Sequence, residues 1–532
     1  MVENVTVADL IDSFAAAKPN EAAVIYDPRV ITYAALSDMG KRAAQGLQDL
    51  GVGPGDRVAF WLPNCPAYLA LYLGCCRLGA IAVAVNTRYR SGEVSDIMGR
   101  SGAKILAMWP GFRHIDFLGL LEDVDSVALD RLETLILYNE GEQASLPPTS
   151  VQHCRVVNAD DVLAHSPLAE NLAGSETGSN IFTTSGTTSA PKFVLHGQGG
   201  IARHARTVAD YFGYSELNGA LLQMLPLCGV FGFVQMMAGL ASGQPTVLTS
   251  SFDPVAAINL AARHNVVNFN ATDDMIQAIL NASDAERPMP NLRFVGSAAF
   301  ATNYTELATL AESRGIPMTG LYGMSEVQAL FSLQPMHLPL LDRIAGGGAM
   351  ASDKAQARVR DPDSGALLPP GQAGELELKG PSLMLGYYNN PDATANAFTD
   401  DGFLRTGDLA EMCCDGRFIF LQRMGDVLRL GGFLVSPAEI EAHLQTHPDV
   451  AGCQVVGVRT EASDKPVGFV IPAPGAGFNE ESLRQYCLDS LARFKAPVRL
   501  FPLDEFPTTK SANGFKIQRA ALRDMAAARM GG

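Results

Sequence analysis

Residues 20 to 110 constrain the fold of this chain more than any other stretch. Ala22-Ala23-Val24-Ile25-Tyr26, Arg57-Val58-Ala59-Phe60-Trp61-Leu62 and Ala80 to Val85 are short apolar runs, and each precedes an amphipathic one: Tyr33 to Leu50, Pro66 to Leu78 and Gly92 to Gly99. Runs without polar alternation suit strands covered on both faces, and strand followed by helix, repeated, gives parallel crossover units. A mainly parallel sheet with helices on either side is expected, with functional loops beyond the C-terminal strand ends.

The pattern returns with a strand at Ala220 to Pro226 and a helix at Phe231 to Gly239, then at Leu292 to Gly296 and Ala301 to Gly315, which makes a second α/β half. From Ala345 to Glu377 glycine, proline and short β-like runs point to a more antiparallel module. Ser436-Pro437-Ala438-Glu439 reads as a capping box with proline at the first helical position, and Leu483, Cys487, Leu491 and Phe494 mark one face of a later helix. Residues 426–532 carry 12 basic and 12 acidic side chains, so the net charge of −16 lies wholly before residue 426. With 532 residues the chain exceeds one typical domain. The expected architecture is α/β: a large N-terminal domain of stacked, mainly parallel α/β subdomains plus a β module (1–424), and a small mobile α+β C-terminal domain (425–532).

A charged fraction of 18% against 47% hydrophobic excludes a disordered chain, and a charge of −16 disfavours a nucleic-acid surface. Nine cysteines, odd in number and without C-x-x-C spacing, suggest a reducing compartment and no structural zinc. There is no leader-like start and no run of 18 apolar residues, so a soluble cytoplasmic protein without stable membrane insertion is expected. The sequence leaves a homodimer open.

Ile181 to Lys192 packs six hydroxyl side chains, a glycine and a lysine into twelve positions. Such a loop offers hydroxyl and backbone donors to a phosphate chain, with Lys192 adding positive charge; it is not a Walker A loop, because no second glycine precedes the lysine.

This segment resembles the phosphate-binding signature of the adenylate-forming enzymes, the superfamily of acyl-CoA synthetases, luciferase-type enzymes and peptide-synthetase adenylation domains. Leu321-Tyr322-Gly323-Met324-Ser325-Glu326 is similar to that family's Tyr-Gly-x-Thr-Glu element, and Phe403 to Asp408 to its Arg-Thr-Gly-Asp element. Arg423 to Glu441 resembles its hinge and CoA segment, and Pro507 to Lys516 its C-terminal lysine motif. The resemblance spans essentially the whole chain. It implies an ATP-dependent acid–CoA ligase: acid and ATP give acyl-AMP and pyrophosphate, the small domain swings, and CoA takes the acyl group.

The resemblance assigns phosphate binding to Thr184, Ser185, Gly186, Thr187, Thr188 and Lys192, with Thr184 also catalytic. Ser297, Ala298 and Tyr322 would flank the adenine or acyl carboxyl, Gly323, Met324 and Ser325 would complete the nucleotide site, and Arg423 would lie near the nucleotide. Glu326 suits Mg²⁺, which takes one or two carboxylates plus phosphate oxygens. Asp408 can accept from ribose hydroxyls, and Lys516 is a compact cation for the α-phosphate and substrate carboxylate. Gly431 and Gly432 would line the CoA tunnel, and Gly425, where relatives carry Asp or Lys, would be the hinge.

Gly229 stands where relatives have a bulky gate residue, which implies a wider acyl entrance; Gly229, Phe231, Phe269, Gly296, Met324 and Leu330 are the expected acyl pocket. No acidic residue lies between Ala220 and Ser251 to hold an amine, so amino acids are disfavoured. Fatty, alicyclic and aryl acids stay open, and a dicarboxylic acid is less favoured. Two alternatives stand beside this reading: an adenylating enzyme that loads a separate carrier protein, and a nucleotide-binding pseudoenzyme.

Overall fold

A computed structural model of the chain describes residues 5–140, 149–184, 191–298, 304–362, 364–424, 428–430, 433–435, 437–459, 464–511 and 514–530. Two large sheets form its body. In the first, Ala22–Tyr26, Thr246–Leu248, Ala220–Gln223, Val266–Thr272, Phe294–Ala298 and Met318–Tyr322 run parallel as neighbours. Beyond Met318–Tyr322 the sheet turns antiparallel through Ser332–Leu333, Gly347–Met350, Phe418–Arg423, Leu404–Met412, Ala373–Lys379 and Gln356–Arg360. The antiparallel module read from the sequence is thus an extension of this sheet.

The second sheet is parallel from Gly178–Thr184 through Ile81–Ala84, Arg57–Trp61, Ile105–Met108 and Thr134–Leu137 to Arg155–Asn158. Its other edge is antiparallel, with Lys192–Gly197 and then Gly386–Tyr387. The main core holds residues from both sheets and from the helices Tyr33–Asp49, Pro66–Leu78, Gln198–Tyr211 and Val230–Ser242. Every residue of Pro66–Leu78 is buried, as an all-round apolar helix requires. Glycine permits its close packing: a Cβ on Gly74 would stand 2.9 Å from the Ala43 backbone.

The strand readings run slightly long, since Ala220–Gln223 ends three residues before Pro226 and the following helix is longer than Phe231 to Gly239. Pro226 and the Gly229 N-cap account for the break. The C-terminal domain is separate, with its own cores and a sheet of Val450–Arg459, Asp464–Pro472 and Arg499–Pro502. Ser436 lies outside the described residues, while Leu483, Cys487 and Leu491 are buried in that core together. Among the described residues, no helix is long and apolar enough to cross a membrane.

Candidate active site

The candidate site lies at the C-terminal ends of parallel strands, where such sheets present ligands. Ala271, Ser297 and Gly320 are in register across three strands, so Ser297, Ala298 and Tyr322 lie together at this edge. Gly323 and Met324 then lead into the 3₁₀ turn Ser325–Val327, which carries Glu326. Gln328, Ala329 and Leu330 follow with φ of 63°, 46° and 41°, a left-handed run without glycine that costs about 1–3 kcal/mol per residue.

The surroundings fix that strained turn. The Ala329 amide donates to Met324 O at 3.0 Å, and His204 Nε2 donates to Ala329 O at 2.9 Å. Glycine is required at 323, because a Cβ there would stand 2.4 Å from Ala329 Cα. His196 Nε2 donates to Ser325 O at 2.7 Å, which leaves its buried Nδ1 as an acceptor without a partner among the described residues.

Burial pushes both His196 and His204 down to about 4. The unfolded chain therefore binds their protons first as pH falls. Their stabilising contribution is complete above about 6.5 and declines as pH drops toward 4. Between pH 7 and pH 5 each histidine is expected to remove about 2 kcal/mol of stability. Urea midpoints at the two pH values check this: the acid-induced drop should shrink in His204→Gln, and an unchanged drop would contradict it.

Glu326 is buried; its Oε1 accepts from the Tyr387 hydroxyl at 2.9 Å, and its backbone oxygen accepts from the Met384 amide at 2.8 Å. Tyr387 sits on the edge strand beside Lys192–Gly197, and the Lys192 ammonium lies 4.6 Å from the centre of its ring. One tyrosine thus touches the lysine of the hydroxyl-rich loop and the acidic residue of a distant motif. Thr184 stands opposite Lys192 at the end of its strand, while Ser185, Gly186, Thr187 and Thr188 lie outside the described residues.

Asp408 is buried and accepts from the Tyr322 hydroxyl at 2.6 Å, while its amide donates to Thr406 Oγ1 at 3.0 Å. Gly407 before it has φ of 68°, the left-handed conformation that glycine adopts without cost. Arg423 is the register partner of Asp408 on the neighbouring strand. Tyr322, expected beside the adenine or acyl carboxyl, has its hydroxyl on Asp408 and its ring against Phe418. Lys516 lies within the strand Gly514–Ile517, paired with Thr509. Gly425, Gly431 and Gly432 lie outside the described residues.

The expected acyl pocket divides between two faces. Consecutive strand residues point to opposite sides. Asn270 donates to the Tyr214 hydroxyl on the main-core face, and a Cβ on its register partner Gly296 would meet Asn270 Oδ1 at 2.2 Å on that same face. Phe269 and its register partner Val295 are packed in the other core, so Phe269 is a core residue here and does not line a pocket with Gly296. Leu330 is buried in the main core, Phe231 packs against that core, and Met324 is half-buried nearer the antiparallel module. Gly229 faces space: a Cβ there would meet only Pro226 O, at 3.5 Å.

Tyr387 and His196 were not singled out from the sequence. Tyr387 is 61 residues from the carboxylate it holds and belongs to a two-residue strand, so no local pattern marks it. His443 and His447, one helical turn apart in sequence, pack on Tyr486, with ring centres 4.5 and 4.9 Å away. Among the described residues no three His, Cys, Asp or Glu side chains are grouped to hold a metal, so a cation at Glu326 would take most of its oxygens from elsewhere.

The chain belongs to the AMP-binding enzyme family, whose model matches residues 11–388, and the model of that family's C-terminal domain matches residues 439–513. Among curated relatives, the oxalate–CoA ligase of Arabidopsis thaliana is 28% identical over 97% of each chain. The 4-coumarate–CoA ligase 3 of Oryza sativa subsp. japonica is 27% identical over 93% of this chain and 87% of its own. A double variant of the o-succinylbenzoate CoA synthetase of Bacillus subtilis, bound with its CoA product analogue, superposes with TM-score 0.82 at 23% identity over 98% of this chain and 99% of its own. The same synthetase in complex with AMP gives 0.66 at 23% identity over 98% of each chain.

Proposed function

We propose that the chain is an AMP-forming acid–CoA ligase for an apolar carboxylic acid, working in the reducing cytoplasm, with a large domain up to residue 424 that binds ATP and acid and a small domain from 425 that brings the catalytic lysine and the CoA loop. The observation that carries the reading is the tyrosine-built cradle, in which Tyr387 links Lys192 to Glu326 and Tyr322 holds Asp408.

In the first step a carboxylate oxygen of the acid attacks the α-phosphorus of ATP, pyrophosphate departs, and a mixed anhydride forms. Both reactants are anions, so the site must align them and neutralise charge. Lys192 and the hydroxyl-rich loop from Thr184 hold the phosphate chain, Asp408 accepts from the ribose hydroxyls, Arg423 stands beside the nucleotide, and Lys516 meets the α-phosphate and the carboxylate. Glu326 fits Mg²⁺, because one oxygen takes the Tyr387 hydroxyl and the other can face a cation. The ion would supply further neutralisation of the phosphates. In the second step the CoA sulfur attacks the acyl carbon and AMP leaves.

The apolar preference rests on Gly229, Phe231 and Met324, which bring no charge to the acyl entrance, with Leu330 packed in the core behind them. A panel of carboxylic acids with ATP and CoA, read as AMP formation, tests the function. No acid-dependent AMP would leave a nucleotide-binding pseudoenzyme, and AMP with thioester only on a holo-carrier protein would make the chain a carrier loader. The same panel tests the gate. Gly229 has φ of −100°, which any residue adopts, so Gly229→Phe should fold. It is expected to lower kcat/KM for bulky acids about ten-fold or more while sparing the smallest ones. A uniform loss across the panel would remove Gly229 from the acyl path.

A further inference from the structure

A buried ion pair joins the two domains away from the nucleotide cradle. Lys495, in the loop after the helix Glu480–Ser490, places Nζ 2.6 Å from Glu93 Oε1 on the large domain and 2.6 Å from Glu439 Oε1 on its own domain. Lys495 is 5% and Glu93 7% exposed. The other oxygen of Glu93 accepts from the Ala492 amide of the small domain and from the Arg90 amide, both at 2.9 Å, the latter closing the capping box of the helix Ser91–Ser101. The contact is tight: a Cβ on Gly92 would stand 3.0 Å from Ser490 O. The Lys495 ammonium also lies 4.9 Å from the centre of the Tyr89 ring, whose hydroxyl is 3.4 Å from Thr183 Oγ1, on the strand that leads into the hydroxyl-rich loop.

Each half of this contact has a partner without the other. With the domains apart, Lys495 would still have Glu439, and Glu93 would still close its own helix cap and regain water. When they meet, Lys495 sits between two carboxylates that would otherwise repel each other in a dry interface. Such a pair suits repeated making and breaking. It belongs to the arrangement described here, which superposes at 0.82 on the synthetase bound with its CoA product analogue and at 0.66 on the same synthetase with AMP.

We infer that Lys495 and Glu93 form a positioning latch that holds the small domain in the arrangement used for thioester formation and has no part in adenylate formation. The inference rests on the two-step ligase reading. Lys495→Met and Glu93→Gln separate the steps; the glutamine keeps an oxygen for the Ala492 and Arg90 amides, so the helix cap survives. Acid-dependent pyrophosphate release, with hydroxylamine capturing the adenylate, reports the first step, and single-turnover acyl-CoA formation from supplied acyl-adenylate reports the second. Both variants are expected to slow the second step about ten-fold or more and to leave the first within about two-fold. Equal losses in both steps, or no loss in the second, would overturn the latch. Absence of adenylate formation in the unaltered protein would instead overturn the ligase reading.

Discussion

Lys516→Met is expected to lower acid-dependent pyrophosphate release by about 10²–10³, comparable to removing one oxyanion donor, and to leave thioester formation from supplied acyl-adenylate within about five-fold. The asymmetry follows from charge. In the first step a carboxylate must approach a phosphate already bearing negative charge, and a compact ammonium between them favours the transition state more than the separated reactants. In the second step a neutral acyl carbon is attacked and that need lapses. The segment from Arg493 to Arg529 holds eight basic and three acidic residues in a chain whose net charge is −16, so this end brings local positive charge to a phosphate-bearing substrate. Lys516 also sits in a paired strand, opposite Thr509. ATP–pyrophosphate exchange measures the first step alone. Equal losses in exchange and thioester formation would mark Lys516 as structural, and unchanged exchange would remove it from catalysis.

What was legible in the sequence follows from the range of the interactions involved. Uniform apolar runs such as Arg57 to Leu62 and Ala80 to Val85 encode two-sided burial directly, so the parallel sheets could be read from them. Motif glycines were legible for a related reason: Gly323 and Gly407 are demanded by a close approach and by a left-handed φ, which are local needs. Face assignment was not legible at the acyl pocket. Phe269 and Gly296 are apolar neighbours of the site in sequence, but their facing is set by the register of Asn270 on Gly296 and of Phe269 on Val295, which only strand pairing determines. The partners of the chemically obvious residues were equally hidden. Tyr387 reaches Glu326 across two sheets, and Lys495 reaches Glu93 across 402 positions of chain.

Glu326→Gln tests the centre of the cradle with little change of shape. Glutamine can still accept from the Tyr387 hydroxyl, and the backbone bond from Met384 is unaffected, so the turn at Ser325–Val327 should keep its form. What is lost is one buried negative charge. If that carboxylate holds Mg²⁺ against the phosphates, adenylate formation is expected to fall about 10²-fold, and the Mg²⁺ concentration needed for half-maximal rate to rise by about ten-fold or more, since magnesium selects anionic oxygen over amide oxygen. Tyr387→Phe removes the bond that orients the carboxylate, and the ring still lies against Lys192, so its effect should be nearer one hydrogen bond, about five- to ten-fold, with a smaller shift in Mg²⁺ requirement. The order of the two variants decides between roles. A carboxylate that serves only to cap the local turn would make the glutamine variant nearly silent and leave the Mg²⁺ titration where it was, because the turn needs an acceptor and not a charge. A larger loss in Tyr387→Phe than in Glu326→Gln would place the catalytic requirement on the tyrosine and take the cation away from Glu326.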